Sequence, residues 1–223
     1  MSRLNIAIDG PAGAGKSTVA KIISQKLGII YLDTGAMYRA VALKAIREKI
    51  NALDREKLSA LVQNINIKIE YAGSEQHVFL DGEDVSERIR TPEVSKAASD
   101  VATVPQVRIR MVEMQREIAR DNDVVMDGRD IGTHVLPNAT LKVFLTASVE
   151  ERAKRRYAEQ VIKGNKDISF DDVRRDIEYR DKNDSSRDFS PLSKADDAVE
   201  IDTTYMTIEE VADRIISLVG ERR

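Results

Sequence analysis

Along the chain, short apolar-rich runs alternate with stretches in which apolar residues recur every three or four positions. The runs "LNIAI" (4–8), "IIYL" (29–32), "VVM" (124–126), "LKVFL" (141–145) and "AVEID" (198–202) predict short, buried strands. Between the first two, Val19, Ala20, Ile22, Ile23 and Leu27 fall on one face of a helix predicted over 16–27, with Gly28 as its stop. "GAMYRAVALKAIREK" (35–49) predicts a second helix, and a further one over 106–121 follows Pro105. Ser148 with Glu151, and Thr207 with Glu210, carry capping-box spacing at two later helix starts. Strands joined by helices in this order predict an α/β fold, a parallel sheet with helices on both faces.

The middle of the chain changes period. "INIKIEY" (65–71) alternates strictly, with Ile65, Ile67, Ile69 and Tyr71 on one face. "AGSE" reads as a turn, and "QHVFL" (76–80) returns and is ended by "DGED" (81–84), which predicts an antiparallel hairpin with one wet face. Thr91 as N-cap and Pro92 at the first helical position open the next helix. Residues 62–100 are therefore expected to form a small antiparallel β/α insertion in a core made of 1–61 and 101–223. No internal repeat or low-complexity segment interrupts this pattern.

Composition narrows the class. With 42% hydrophobic and 33% charged residues, the 223-residue chain can bury a core and carry a solvated surface, as one larger domain or one with an insertion. No apolar run approaches the ~18 residues that span a bilayer. "MSRLNIAIDG" enters a strand almost at once, so no signal peptide is expected. Cysteine is absent, so disulfides and thiolate metal sites are excluded and a cytoplasmic location is expected. The net charge of -3 gives no bulk attraction to nucleic acid, and no membrane partner is expected. The chain is expected to act as a monomer on small molecules.

The strongest chemical signal lies at the end of the first strand. Gly10, Pro11, Ala12, Gly13, Ala14, Gly15, Lys16 and Ser17 fit G-x-x-x-x-G-K-[ST], and Thr18 follows. Glycines let the backbone curl so that successive N–H groups point at one anion on the positive end of the helix. Lys16 can reach the β- and γ-phosphates of a nucleotide, and the Ser17 hydroxyl can ligate Mg²⁺. The strand before and the helix after the loop set it apart from a chemically idle glycine-rich turn.

Three other segments carry candidate acceptor chemistry. In "LDTGAMYRA" (32–40), Thr34 and Gly35 stand at a strand-to-helix corner with Arg39 one turn later, a second anion site or an ordinary capped helix with a solvated arginine. Asp127, Arg129 and Asp130 of "DGRDIGTHVLP" lie where a parallel sheet presents ligand groups, beyond the carboxyl end of a strand. A charged turn closed by its own salt bridges is the alternative there. Residues 148–188 hold 11 Lys/Arg and 11 Asp/Glu, so most of that stretch reads as a solvated helical face. Within it Arg152, Arg155 and Arg156 sit at i, i+3, i+4, and Arg180, Asp184 and Arg187 at i, i+4, i+7, one face if the helix continues that far. Guanidinium groups on a mobile helical segment suit phosphoryl transfer, which spreads charge over equatorial oxygens and needs water excluded. Met111 and Met114 read as helix packing, and neither His77 nor His134 has a partner at ligand or triad spacing.

Taken in order, "IAIDGPAGAGKST", "LDTGAMYRA", "GEDVSERIRTPEVSKAAS", "VVMDGRDIGT" and "YRDKNDSSRDFSPL" resemble the bacterial cytidylate kinase family over nearly the whole chain. The resemblance implies a P-loop NTPase-type fold with a five-stranded parallel core, a mobile helical lid at about 150–170 and a monophosphate-binding subdomain enlarged by an antiparallel insertion. It implies transfer of the γ-phosphoryl group of ATP to CMP or dCMP, with Mg²⁺. By position in the matched motifs, Thr34 would stand at the monophosphate site, with Arg39, Arg129 and Arg187 binding the acceptor phosphate. Ser99, Arg108 and Asp130 would read the cytosine edge, and Arg180 and Asp184 would hold the ribose hydroxyls. Arg152, Arg155 and Arg156 fall in the implied lid, and with Lys16, Arg129 and Arg187 they make up the expected catalytic set. Two other readings stay open on the phosphate loop alone: a P-loop kinase with a different small acceptor, and a nucleotide-dependent switch, whose N-K-x-D motif neither "DKND" nor "DNDV" reproduces.

Overall fold

The computed structural model describes residues 3–73, 75–162, 164–165 and 168–222. The chain runs β1 (Asn5–Asp9), α1 (Lys16–Leu27), β2 (Ile30–Asp33), α2 (Thr34–Arg47), α3 (Arg55–Asn64), β3 (Ile67–Ala72), β4 (Glu75–Leu80), β5 (Glu83–Asp84), α4 (Pro92–Val101) and α5 (Pro105–Asp121). It continues as β6 (Val124–Gly128), β7 (Leu141–Thr146), α6 (Val149–Ile162), α7 (Phe170–Ser185), β8 (Val199–Asp202) and α8 (Ile208–Glu221). A 3-10 turn at Arg88–Arg90 and a π turn at Ile131–Val135 complete it.

Five strands pair in the order β2-β6-β1-β7-β8, all parallel. Alternation along each strand divides the core in two. Ala7, Leu32, Val124 and Met126 face a cluster with Met37, Leu58 and Met111, on the side of α2 to α5. Ile6, Ile8, Val125, Val143 and Leu145 face the other cluster, with Val19 and Ile23 of α1 and Ile215 of α8. The strands are continuously apolar because both faces are covered. Beyond their carboxyl ends, between β1 and β6, lies the position at which open parallel sheets in general form a ligand crevice.

The expected hairpin is a three-stranded antiparallel sheet, β3-β4-β5. "DGED" does not end it: Asp81 (φ 52) and Gly82 (φ 88) make a two-residue turn, and Glu83 returns to pair with Leu80. Ser74 of the expected "AGSE" turn lies outside the described residues. The insertion shares its core with the rest, since Ile67, Val78, Leu80, Val94 and Val101 belong to the cluster that holds Leu32 and Met126. One bond pair fixes it to the main sheet: Gln76 Oε1 accepts from Asp33 N at 2.8 Å, and Gln76 Nε2 donates to Asp33 O at 3.5 Å.

Local signals account for most helix ends. Thr91 caps α4 with Pro92 in its first turn, and Thr207 with Glu210 forms the capping box of α8. Only half of the expected box forms at α6: Ser148 Oγ accepts from Glu151 N at 3.2 Å, while Ser148 N donates to Thr204 Oγ1 and the Glu151 carboxylate pairs with Arg155. Helix α3 was not expected, although Asp54 caps it and Leu58, Leu61 and Val62 are spaced as its buried face. Helices α6 and α7 pack through a small cluster of their own, Ala153, Val173 and Ile177, with Tyr157 and Phe170 edge to face at 6.0 Å. This pair spans the interval expected as the lid, of which residues 163, 166 and 167 lie outside the described residues. Among the described residues no helix is long and apolar enough to cross a membrane.

Candidate active site

The phosphate loop leaves β1 at Asp9 and enters α1 at Lys16. Gly10 (φ 144) has no room for a side chain, since a Cβ there would lie 2.0 Å from the Leu145 carbonyl oxygen. Gly13 (φ 79) lets α6 approach, because its Cβ would lie 3.0 Å from Arg152 Cβ. Helix α1 has no acidic residue in its first turn, so its positive end is uncompensated by the chain itself. Ser17 and Thr18 are exposed at this end. The Lys16 ammonium curls into the loop and donates to Pro11 O at 2.7 Å. Burial, with the nearby Arg129 charge, pushes its pKa down to about 7. Asp127, Asp184 and Asp9 favour the ammonium without offsetting its burial, and a phosphate anion would favour it further.

A second group of charges gathers after β2 and β6. Thr34 Oγ1 donates to Asp127 O at 2.7 Å, which ties the start of α2 to the end of β6. Arg39 pairs with Asp33 at 2.7 Å, and its Nε is buried without a partner. The Tyr31 hydroxyl donates to Asp127 at 2.8 Å; burial, with the Asp33 charge, raises the Asp127 carboxyl to about 6. Arg108 and Asp130 form an ion pair that is buried on both sides. The Arg108 guanidinium lies 5.6 Å from the centre of the Tyr38 ring. Ser99 is buried close to these, 3.5 Å from Asn183 Nδ2.

Helix α7 brings the third group. Asp184 accepts from Arg129 Nε at 2.6 Å. Arg180, pushed down to about 10 by burial and by Arg129, keeps a buried Nε without a partner. The expected common face of Arg180, Asp184 and Arg187 is not helical throughout, because α7 ends at Ser185. Arg187 reaches the same place from the loop beyond, donating from Nε to Asp184 O at 3.2 Å. Its Nη2 is buried and unpartnered. Unsatisfied guanidinium nitrogens on Arg39, Arg108, Arg180 and Arg187 are costly unless an anionic or polar ligand takes them up.

The three arginines of α6 do different things. Arg152 is 4% exposed and donates to Ala147 O at 3.0 Å, to Ala12 O at 3.0 Å and to Asp181 at 2.6 Å. It braces the phosphate loop from behind. Arg155 donates to Thr203 Oγ1 at 3.0 Å and Thr203 O at 2.7 Å, and Arg156 pairs with Glu159 at 2.9 Å. Arg155 and Arg156 line the cleft; much of the remaining charge on α6 and α7 is solvated. Met111 and Met114 pack in the core, as expected. His77 does have a partner, Asp84 at 3.0 Å across the inserted sheet, and His134 stacks edge-on to Phe189 at 5.1 Å.

All three groups border one cleft of about 1190 Å³, larger than a single small-ligand pocket. Some of its residues were not anticipated. Tyr31, Tyr38 and Gln115 line it within the polar wall, and Tyr205 and Ile208 line it beyond β8. An exposed aromatic after a strand was the available signal for Tyr205; the others are single residues inside apolar patterns. Among the described residues no cluster of three or more acidic or histidine side chains is placed to hold a metal.

Comparison with known proteins identifies the family. The family model described as cytidylate kinase matches residues 6–221. The chain is similar to a cytidylate kinase of Caldicellulosiruptor bescii, 53% identical over 218 residues that cover 98% of this chain and 96% of that protein. A cytidylate kinase of Bacillus subtilis (strain 168) is 53% identical over 220 residues, covering 99% and 98%. In fold alone, the chain is similar to the crystal structure of an uncharacterized protein from Eubacterium ventriosum, with a TM-score of 0.52 at 17% identity and 99% of each chain covered. With a glycine-rich phosphate loop and an arginine-lined wall on one cleft, and a match that runs almost from end to end, this chain belongs to the cytidylate kinase family.

Proposed function

We propose that the chain transfers the γ-phosphoryl group of ATP to CMP and dCMP, giving ADP with CDP or dCDP. The observation that carries this reading is the buried Arg108–Asp130 pair in the wall of the cleft that also contains Lys16. Cytosine presents an exocyclic amine beside the N3 and O2 acceptors. Asp130 accepts from the amine with the lone pairs Arg108 leaves free, while Arg108 and Ser99 donate to N3 and O2. Uracil offers a carbonyl where cytosine has its amine, so it sets two acceptors face to face in a desolvated site.

Lys16 and the N-terminus of α1 hold the donor phosphates. Arg39, Arg129 and Arg187 hold the acceptor phosphate beside Thr34, with Arg180 and Asp184 on the ribose and Arg155 and Arg156 on the donor side. No residue acts as general base, because the acceptor phosphate is already an anionic nucleophile; positioning and charge stabilisation supply the rate. Exposed Ser17 Oγ suits one ligand of Mg²⁺, with phosphate oxygens and water as the others. Held by Ser17, Mg²⁺ would supply positive charge against the donor phosphates. On this reading the enzyme works as a monomer in the cytoplasm.

Turnover with CMP, dCMP, UMP, AMP and shikimate tests the reading. CMP and dCMP are expected to dominate. A kcat/KM for UMP equal to that for CMP overturns the assignment of the base-reading residues. Dominance of AMP or shikimate indicates a P-loop kinase of another acceptor class. ATP hydrolysis that needs no acceptor favours a nucleotide-dependent switch.

A further inference from the structure

Asp130 stands at the start of the π turn Ile131–Val135, where a residue ordinarily bends its side chain back onto the first free N–H groups. Asp130 makes no such bond, and its carboxylate is turned to Arg108 instead. The N–H groups are taken from another part of the chain. Ile131 N donates to Asp9 Oδ1 at 2.8 Å, and Gly132 N donates to Asp9 Oδ2 at 2.7 Å. Asp9 is the last residue of β1, lies beside Gly128 of β6 in the sheet register, and immediately precedes the phosphate loop. One carboxylate, 4% exposed, therefore joins the root of the donor loop to the turn that carries Arg129 and Asp130.

We propose that Asp9 is a positioning residue that caps the acceptor turn in place of Asp130, and so leaves the Asp130 carboxylate facing the pyrimidine edge. The proposal rests on the base-reading role given above to Asp130. Without Asp9, two buried N–H groups lack acceptors, and the nearest residue of capping type is Asp130 itself. Its carboxylate would bend back onto the turn and away from Arg108. Burial pushes the Asp9 carboxyl up to about 7 despite those two N–H groups, so it is held in place at a cost.

The test is Asp9→Asn, which keeps the shape and one carbonyl oxygen but presents an amide N–H to a backbone N–H. Steady-state kinetics with CMP and with UMP at varied ATP are expected to show the CMP-over-UMP ratio of kcat/KM falling by roughly tenfold or more, the equivalent of one lost buried hydrogen bond. The KM for ATP is expected to stay within about threefold of wild type, well under that tenfold step. A merely structural Asp9 would lower the melting temperature and leave the ratio unchanged; that result in folded Asp9→Asn overturns the proposal. So does a rise in KM for ATP as large as that for CMP. Gly132→Ala provides a second probe, since its methyl would lie 3.3 Å from Asp9 Oδ2 and 3.1 Å from Lys142 Cδ and press the turn off Asp9 without changing any charge. It is expected to lower the same ratio, and an unchanged ratio counts against the proposal even if Asp9→Asn does not fold. If wild type itself does not prefer CMP over UMP, the substrate reading fails and this proposal with it. If wild type prefers CMP and both variants keep that preference, only the role of Asp9 fails.

Discussion

Arg129 donates from Nε to Asp184 Oδ2 at 2.6 Å and so binds the turn after β6 to the last turn of α7. Burial raises the Asp184 carboxyl, but the charges of Arg129 and Arg187 outweigh it and leave it below the usual carboxylate range. Asp184→Ala removes the partner of a largely enclosed guanidinium. It is expected to lower stability by about 2 kcal/mol, short of the ~3–5 kcal/mol of a fully enclosed pair because the cleft admits water. Urea unfolding measures this, and an unchanged midpoint contradicts it. Turnover of CMP is expected to fall as well, since Arg129 and Arg187 lose their common anchor.

Lys16 makes a prediction about protons. Its pKa lies near 7 in the free protein, lowered by burial and by Arg129, so at pH 8 most of the molecules carry a neutral amine there. Phosphate charge favours the ammonium and raises the pKa again, which means that binding takes up a proton. A phosphate with a second pKa of about 6 is already ionised at pH 8, so the proton taken up is assigned to Lys16. Calorimetry at pH 8 in buffers of different ionisation enthalpy is expected to show net uptake in wild type and none in Lys16→Ala. Equal uptake in both places the proton elsewhere. Lys16→Ala is also expected to lower kcat by at least ~100-fold, as for other donors aimed at transition-state charge.

Asp130→Ala strips Arg108 of its buried partner and removes the acceptor proposed for the cytosine amine. We expect kcat/KM for CMP to fall by about 100-fold or more, the loss typical of an unpaired polar contact in a specificity pocket. ATP affinity, measured by a fluorescent analogue, is expected to hold. Equal losses on both nucleotides contradict the division of the cleft into donor and acceptor halves.

The bonds of Arg152 distinguish it from Arg155 and Arg156. Because it holds Ala12 O and Ala147 O, Arg152→Ala is expected to loosen the phosphate loop, with a higher KM for ATP and a lower melting temperature. Arg156→Ala, whose side chain lines the cleft, is expected to lower kcat with less change in stability. A fall in kcat for Arg152→Ala at unchanged KM for ATP shows instead that its guanidinium reaches the transferring phosphoryl group.

Much of this was legible in the chain because it is written locally. Helix α1 begins and ends where its apolar spacing and Gly28 place it, and the caps at Thr91 and Thr207 need only neighbours a turn away. The glycine-rich loop is likewise a short-range statement about backbone conformation. What the spacing of charges does not contain is the identity of a distant partner. Spacing puts Arg152 on one helical face with Arg155 and Arg156, and the resemblance implies a lid arginine, yet its bond to Ala12 crosses 140 residues of chain. Asp9 sits inside the most recognisable motif of the sequence, but its bonds to Ile131 and Gly132 depend on β1 and β6 lying side by side. The third inserted strand was missed for a local reason, since Asp81-Gly82 is also the commonest type of two-residue hairpin turn.

The Gln76 amide that grips both main-chain groups of Asp33 has a mechanical consequence. Asp33 is at once the cap of α2 and the partner of Arg39, so the tip of the inserted sheet and the arginine beside the acceptor site are geared together. If the acceptor nucleotide draws Arg39 inward, as the proposed role requires, the outlying sheet is expected to follow through Asp33 and Gln76. Motion of the insertion in solution would then report how full the acceptor site is, at a distance from the phosphate itself.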